Sequence, residues 1–346
     1  MPEKIRLTQH SHGAGCGCKI APEVLQNILA NSGKNEKSFI ELLVGYDSAD
    51  DAAVWDLGNE NVLITTTDFF LPIVDDAFTF GRIAATNALS DVYAMGGKPI
   101  FALALLGFPV EKLPIEIAIE ILKGARSVTD EAGIPIAGGH TIDNVEPLFG
   151  LVVNGTASKK NIRKNNSVRE GDYLFLTKSI GTGILTTALK RGLIDEAAVQ
   201  PAVDSMCQLN SAGKIFGTMD SVHAMTDVTG FGLIGHLLEM CGNNFSSEIY
   251  YNKIQLIEGA KELAQKFVAP DNTYRNWKSY DGKVSGVTGE SLLTLCDPQT
   301  SGGLMVAVAE ENKNEFSEWL NKNGFEKYSE PIGKILKRNE VVIKIN

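Results

Sequence analysis

Apolar stretches of strand length alternate along this chain with stretches whose apolar residues recur at helical spacing, the pattern of an α/β or α+β fold. Strand patterns fall at 62–67, 99–106, 134–137, 148–156, 173–177, 221–225, 303–309 and 341–345. Helical patterns fall at 21–29, 80–95, 114–132, 184–190, 203–216, 230–241 and 311–323. From 158 to 166 the run Ser-Lys-Lys-Asn-Ile-Arg-Lys-Asn-Asn carries no apolar stripe, so it reads as a surface connection between two halves. The expected organisation is a flexible Gly- and Cys-rich segment over 1–20, a first domain over 21–157 and a second over 167–346. Each half has a strand pattern running into Thr-Asp, at Thr67-Asp68 and Thr226-Asp227, a match compatible with duplication.

A length of 346 residues suits two domains of about 150 residues each. With 44% hydrophobic and 21% charged residues the chain can bury a sizeable core, which excludes a disordered or collagen-like protein. No apolar run reaches the ~18 residues that a membrane-spanning helix needs, and Met1-Pro2-Glu3-Lys4 does not open a secretory signal. A net charge of −10, from 32 basic and 42 acidic side chains, repels polyanions, so nucleic acid is not an expected partner. A small anionic substrate is compatible with that charge if cations bridge the like charges. Five cysteines without framework spacing point to free thiols in a reducing compartment, and the expected location is cytoplasmic.

The most unusual stretch is His10-Ser-His12-Gly-Ala-Gly-Cys16-Gly-Cys18-Lys19. Alternating glycines leave its backbone free to close over a ligand, and Lys19 near the thiols favours the nucleophilic thiolate. The competing readings are a functionless tail and a zinc site of His10, His12, Cys16 and Cys18. Against zinc, both ligand pairs are spaced i, i+2, unlike the widely separated halves of structural sites. A P-loop is excluded, because Lys19 stands between Cys18 and Ile20 rather than within Gly-Lys-Ser/Thr.

Carboxylates then accumulate without cations. Eight aspartates lie between positions 47 and 91 (47, 50, 51, 56, 68, 75, 76, 91), and Arg82 is the only basic side chain among them. Asp50-Asp51 precede the apolar Ala52-Ala53-Val54, at a loop-to-strand junction. Asp68 ends the run Val-Leu-Ile-Thr-Thr-Thr, and Asn87 and Asp91 share one face of an otherwise apolar helix. A buried, unpaired carboxylate is costly there. Mg²⁺, which takes oxygen ligands and keeps substrate phosphates in its shell, would remove that penalty. Asp75 and Asp76 read as solvated turn or cap residues, whereas Asp51, Asp68 and Asp91 read as metal or nucleotide ligands.

Three Gly-rich stretches complete the set. Thr226-Asp227-Val-Thr-Gly230-Phe-Gly232-Leu-Ile-Gly235 contains a formal G-x-G-x-x-G, but its strand does not run straight into the first glycine. Asp227 stands where a bare pyrophosphate would be repelled, so a dinucleotide site is rejected and a cation-bridged role favoured. Gly138-Gly139-His140-Thr141 reads as a turn after a short strand, either structural or phosphate-contacting. Cys296-Asp297-Pro-Gln-Thr-Ser301-Gly302-Gly303 reads as a structural turn, while Cys207, Cys241, Cys296 and His223 read as core residues.

Taken together these motifs resemble the selenophosphate synthetase (selenide, water dikinase) family, within the wider group of aminoimidazole-ribonucleotide synthetase-like ATP enzymes. The matching segments are Ser-His-Gly-Ala-Gly-Cys16-Gly-Cys-Lys19, Asp50-Asp51-Ala-Ala-Val, Thr-Thr-Asp68-Phe-Phe, Ala-Thr-Asn87-Ala-Leu-Ser-Asp91, Gly-Gly139-His140, Thr-Asp227-Val-Thr-Gly-Phe-Gly and Asp-Pro-Gln-Thr-Ser-Gly-Gly-Leu. They run in order from about residue 5 to the C-terminus, and Gly-Cys-Gly-Cys-Lys is the part tied to selenium chemistry. The resemblance implies selenide + ATP + water → selenophosphate + AMP + phosphate, with more than one Mg²⁺. It implies a two-domain α/β fold and a homodimer whose N-terminal halves pair their sheets. By the same resemblance Cys16 is the nucleophile or selenium carrier, and Lys19 contacts the transferred phosphoryl group. Asp51, Asp91 and Asp227 bind metal. Lys19, Ser48, Ala49, Asp50, Asp68, Asp91, Gly139, His140 and Thr141 contact ATP. The alternatives are another ATP-dependent synthetase or kinase of the same fold, and a non-catalytic selenium or metal carrier.

Overall fold

The computed structural model describes residues 5–20, 22–32, 39–45 and 50–346. In the first half, β1 (Leu42–Val44), β2 (Ala53–Gly58), β3 (Asn61–Phe70), β4 (Lys98–Phe108), β5 (Ile136–Asp143) and β6 (Leu148–Ser158) form one sheet in the order β1-β2-β3-β6-β4-β5. The helices here are α1 (Pro22–Asn31), α2 (Ala77–Ala94) and α3 (Ile115–Ala132). Neighbours in the sheet are antiparallel except β4 and β5, whose parallel pairing uses α3 as the crossover that two parallel strands require. Burial alternates along β3, so Val62, Ile64, Thr66, Asp68 and Phe70 face inward while Thr67 and Phe69 face out.

The second half contains β7 (Tyr173–Leu176), β8 (Val222–Asp227), β9 (Phe245–Ile249), β10 (Val284–Ser285), β11 (Leu304–Val308), β12 (Gly333–Lys337) and β13 (Ile343–Ile345). They form a second sheet in the order β10-β13-β9-β12-β7-β11-β8. Its helices are α4 (Thr182–Lys190), α5 (Glu196–Met206), α6 (Gly213–Phe216), α7 (Gly232–Cys241), α8 (Ala260–Gln265), α9 (Asp271–Tyr280), α10 (Gly289–Leu295) and α11 (Lys313–Lys322).

The helix that positions the site is α2. It packs on β3, β4 and β6, beside α3, and against α5, α6 and β8 of the second half. Gly81 and Gly124 let α2 and α3 meet backbone to backbone, since a Cβ on either would land on a carbonyl oxygen of the other helix. Enclosed on these sides, α2 buries even its polar residues Thr86, Asn87 and Ser90. Buried polar groups of this kind are tolerated only when hydrogen-bonded, and all three are.

Two local expectations are corrected. Gly138-Gly139-His140-Thr141 is no turn: β5 continues through it to Asp143, because the backbone pairs in parallel with Leu103–Leu106 of β4. The helical pattern at 203–216 is two helices, α5 and α6, separated where the Asn210 side chain donates to Ser90 and to the Gly302 carbonyl. Helix α9 escaped the apolar pattern because its buried residues include Asn272, Thr273 and Asn276.

Candidate active site

The Gly-rich segment docks in the crevice between the halves. Gly15 takes a left-handed φ of 50°, and its N–H bonds the Leu71 carbonyl at 3.0 Å. The following residues wind into a short 3-10 turn, Gly15–Cys18. The Cys16 N–H donates to Thr300 Oγ1 at 3.0 Å, and its thiol donates to Asn87 Oδ1 at 3.2 Å. Cys16 is 1% exposed. Burial first, and the nearby Asp68 carboxylate second, push its thiol well above the usual range, and Lys19 offsets only part of this. The expected thiolate is therefore not the form this arrangement favours, because desolvation outweighs the ammonium.

Lys19 Nζ stands 4.0 Å from Asp68 Oδ2, with its side chain 41% exposed. Asp68 raises the lysine pKa above its ordinary value, so Lys19 is a permanent cation here. Asp68 also accepts from Asn87 Nδ2.

Three further carboxylates converge behind this pair. Asp91 accepts from Thr66 Oγ1 at 2.5 Å, and Asp227, at the end of β8, accepts from Ser90 Oγ at 2.5 Å. Asp51 Oδ1 accepts from Thr226 Oγ1 at 2.9 Å, and Asp51 Oδ2 is buried without a hydrogen-bond partner among the described residues. Burial raises the pKa of all three. Repulsion from Asp227 adds to the rise at both Asp51 and Asp91, and Asp68 adds to it at Asp91 and Asp227. Carboxylates from three separate parts of the chain thus share one buried pocket of negative charge.

Other expected positions lie elsewhere. Asp50 Oδ1 accepts from the Asn165 N–H at 2.8 Å, tying the connection between the halves to the start of β2. Ser48 and Ala49 lie outside the described residues. Gly139, His140 and Thr141 are exposed on the edge strand β5. The register runs Asp68–Leu151–Ala104–Gly139, so within one chain three strand spacings, roughly 14 Å, separate them from Asp68. The zinc grouping does not form: His12 pairs with Glu146 at 2.7 Å, while Cys16 turns to Asn87. Among the described residues no three His, Cys, Asp or Glu side chains are gathered into a metal cage. The G-x-G-x-x-G amides are partly spoken for, with Thr229 N–H on His236 Nε2 and Gly232 N–H on the Thr229 carbonyl.

A chain from Sulfurimonas denitrificans named selenide, water dikinase is 48% identical over 344 residues, covering 99% of each chain. One of the same name from Pseudomonas putida is 49% identical over 346 residues and covers 100% of both. The chain belongs to the selenide, water dikinase family. The family models "AIR synthase related protein, N-terminal domain" and "AIR synthase related protein, C-terminal domain" match residues 49–157 and 169–346. Two solved structures share the fold at low identity. AaThiL complexed with AMPPCP and TMP superimposes with TM-score 0.64 at 17% identity, covering 93% of each chain. Hydrogenase maturation protein HypE in complex with ATP gives 0.63 at 15%, covering 99% of this chain and 94% of the other. The two-domain α/β fold expected from the motifs is the fold found.

In this member of the family the sequence motifs hid the supporting residues. Thr300 and Ser301 lie in the stretch read as a structural turn, and that reading is half right. Asp297 Oδ2 accepts from the Gly183 N–H, and Gln299 Oε1 accepts from the Gly181 and Thr182 N–H groups, so the loop does cap α4. Burial pushes the Asp297 carboxyl up to about 8. The same loop then turns Thr300 toward the Cys16 backbone and Ser301 toward Asn87. His223 is a satisfied core histidine, with Nδ1 2.8 Å from Asp172 Oδ1. Ser90 could have been found by its place beside Asp91 on a helix with few other polar residues.

Proposed function

We infer that the family's reaction, selenophosphate formation from selenide, ATP and water with release of AMP and phosphate, runs in the crevice lined by Cys16, Lys19, Asp51, Asp68, Asp91 and Asp227. The observation that carries this reading is the burial of mutually repelling carboxylates from both halves beside Lys19 and the Cys16 thiol. Such a pocket is unfavourable alone and becomes favourable around cations that carry a polyphosphate.

The donor set fits Mg²⁺. It is all oxygen, it carries excess negative charge, and among the described residues Asp51 Oδ2 finds no hydrogen to accept. A preformed cage is not needed, since this ion usually takes one or two carboxylates and fills its shell with water and phosphate oxygens. Asp51, Asp91 and Asp227 would hold it, and when bound it would neutralise phosphate charge. Lys19 supplies a fixed positive charge beside Asp68, suited to the transferred phosphoryl group. Asp68 orients Lys19 toward the nucleotide phosphates and accepts from the buried Asn87 behind it. Cys16 is the sulfur that handles selenium, and the docked segment shields it from water.

A homodimer completes the site. One face of the first sheet is covered by α2 and α3. The other presents Phe69 at 52% and Ile142 at 53% exposure, with Leu103 and Leu105 between them half-buried. An open apolar sheet face of this kind favours a second copy. Gly139–Thr141, too far from Asp68 in their own chain, then serve the partner's nucleotide. No helix among the described residues is long and apolar enough to cross a membrane, and the free thiols of Cys16, Cys207, Cys241 and Cys296 favour a reducing, cytoplasmic setting.

Phosphorus NMR of products from ATP, Mg²⁺ and anaerobic selenide tests the reading. Selenophosphate, AMP and phosphate in equal amounts are expected, and Cys16→Ala abolishes the first. ADP formed without selenide would point instead to another kinase of this fold.

A further inference from the structure

Asn87 is wholly buried in the middle of α2 and sits at the crossing of four chain segments. Its Oδ1 accepts from the Ser301 N–H at 2.8 Å and from the Cys16 thiol at 3.2 Å, while its Nδ2 donates to Asp68. A backbone N–H can only donate and an ionised carboxylate can only accept, so these two neighbours decide which end of the amide is oxygen. Cys16 therefore meets an acceptor. A thiol satisfies that acceptor with its S–H, whereas a thiolate would face the lone pairs of the amide oxygen. On the far side, Thr300 Oγ1 takes the Cys16 N–H, and Thr300 is itself held by its N–H on Thr182 Oγ1 at 3.2 Å. The segment is gripped by Asn87 from the first half and by Thr300 from the second.

We propose that Asn87 is a positioning residue that seats Cys16 as a protonated thiol beside Asp68, holding the Gly-rich segment in register and its sulfur out of solvent. The proposal rests on the reading of Cys16 as the sulfur that handles selenium. Lifting the segment breaks the bond to Asn87, so it frees and exposes the sulfur in one event. A resting enzyme built this way keeps its thiol from oxidants and electrophiles between turnovers.

Two variants separate hydrogen bonding from space filling. Asn87→Leu keeps the volume and removes all three bonds, while Asn87→Asp keeps an acceptor for Cys16 and Ser301 and meets Asp68 through a proton shared between the two carboxyl groups. Iodoacetamide labelling of the full chain at pH 7.5, read by mass spectrometry of the Cys16 peptide, measures the seat directly. Asn87→Leu is expected to label about fivefold to tenfold faster than wild type, the change produced when an opening equilibrium loses one net hydrogen bond. Asn87→Asp is expected to label no faster than wild type. In turnover, Asn87→Leu lowers kcat about tenfold while KM for ATP stays within about twofold, because the loss lies in placing the sulfur rather than in binding nucleotide. Labelling of Asn87→Leu at the wild-type rate, or of Asn87→Asp as fast as Asn87→Leu, overturns the proposal. Should Asn87→Leu not fold, Asn87→Ala gives the same readout with the same two outcomes. Cys16→Ser keeps the two readings apart. If it turns over like wild type while Asn87→Leu still labels faster, the role of the sulfur fails and the seat stands. If it is inactive while Asn87→Leu labels like wild type, the seat fails alone.

Discussion

Ser90 and Asp227 are 137 residues apart in the sequence, yet the Ser90 hydroxyl donates to Asp227 Oδ2 at 2.5 Å across the boundary between the halves. Ser90 Oγ in turn accepts from Asn210 Nδ2 at 2.8 Å, which fixes the direction of its own proton. A buried serine on α2 thus holds a carboxylate at the end of β8, and the docking of the two sheets and the assembly of the acidic pocket become one structural fact.

Ser90→Ala breaks that link. A hydrogen bond to a charged acceptor contributes about 1.5–3 kcal/mol, and its loss leaves Asp227 buried with less compensation. Burial already raises the Asp227 pKa and Ser90 lowers it, so the variant moves it further up. A raised carboxyl pKa makes ionisation cost stability as pH climbs from about 4 through the folded-state value. The destabilisation is therefore larger at pH 8 than at pH 5 in urea unfolding. An equal loss at both values would show that Asp227 keeps its proton throughout.

The same sign governs the whole acidic pocket. Asp51, Asp91 and Asp227 all have raised pKa values, so the metal-free chain loses stability as pH rises above the ordinary carboxylate range. A cation that binds the ionised forms restores it. The gain in Tm from adding Mg²⁺ should therefore grow between pH 5 and pH 8, and a pH-independent gain would place the ion elsewhere. Asp51→Asn removes one repelling charge. It should stabilise the metal-free chain at pH 8, read as a higher urea midpoint, while raising the Mg²⁺ needed for turnover.

Much of this arrangement was legible in the sequence, for a physical reason. Asp68 and Asp91 stood out because ionised residues in apolar strands and helices are costly enough to need a purpose. Their partners did not stand out. Thr66, Thr226 and Ser90 are small residues at home in any strand or helix, and only the tertiary structure shows that their hydroxyls meet carboxylates. The sequence misleads about the state of Cys16 because its neighbour Lys19 is plain in the chain order, whereas the burial that outweighs it arises only when the segment docks against Thr300 and Asn87. Gly138–Thr141 reads as a turn in the sequence because two adjacent glycines usually make one, and pairing with β4 overrides that preference.

Gly230 gives a steric test of the docked segment. A Cβ built on it would come within 2.7 Å of the Cys16 carbonyl oxygen and 3.4 Å of Lys19 Cδ. Its own carbonyl is held by Asn276 Nδ2 at 3.0 Å, so the loop has little room to retreat. Gly230→Ala should leave the second domain folded and push the segment outward. The expected result is faster alkylation of Cys16 and a kcat about tenfold lower or more, since small misplacements of reacting groups cost this much. Unchanged turnover would mean that the docked position is not the working one.

The last prediction concerns which chain serves which nucleotide. His140 shares a row with Leu105, Gly150 and Phe69 across the open face of the first sheet, so a residue expected from the resemblance to contact ATP lies on the face proposed to take a second copy. Phe69→Asp puts a charge into that face, and light scattering should report monomers with little activity. A sharper test mixes two inactive chains, Asp227→Ala and His140→Ala, and lets them exchange. In a mixed dimer the Asp227→Ala chain still offers an intact Gly139–Thr141 stretch, and the His140→Ala chain still offers intact carboxylates. If that stretch acts across the interface, one site per mixed dimer is whole, and statistical exchange restores about a quarter of wild-type activity. If it acts within its own chain, every site in the mixture lacks one essential group and no activity returns.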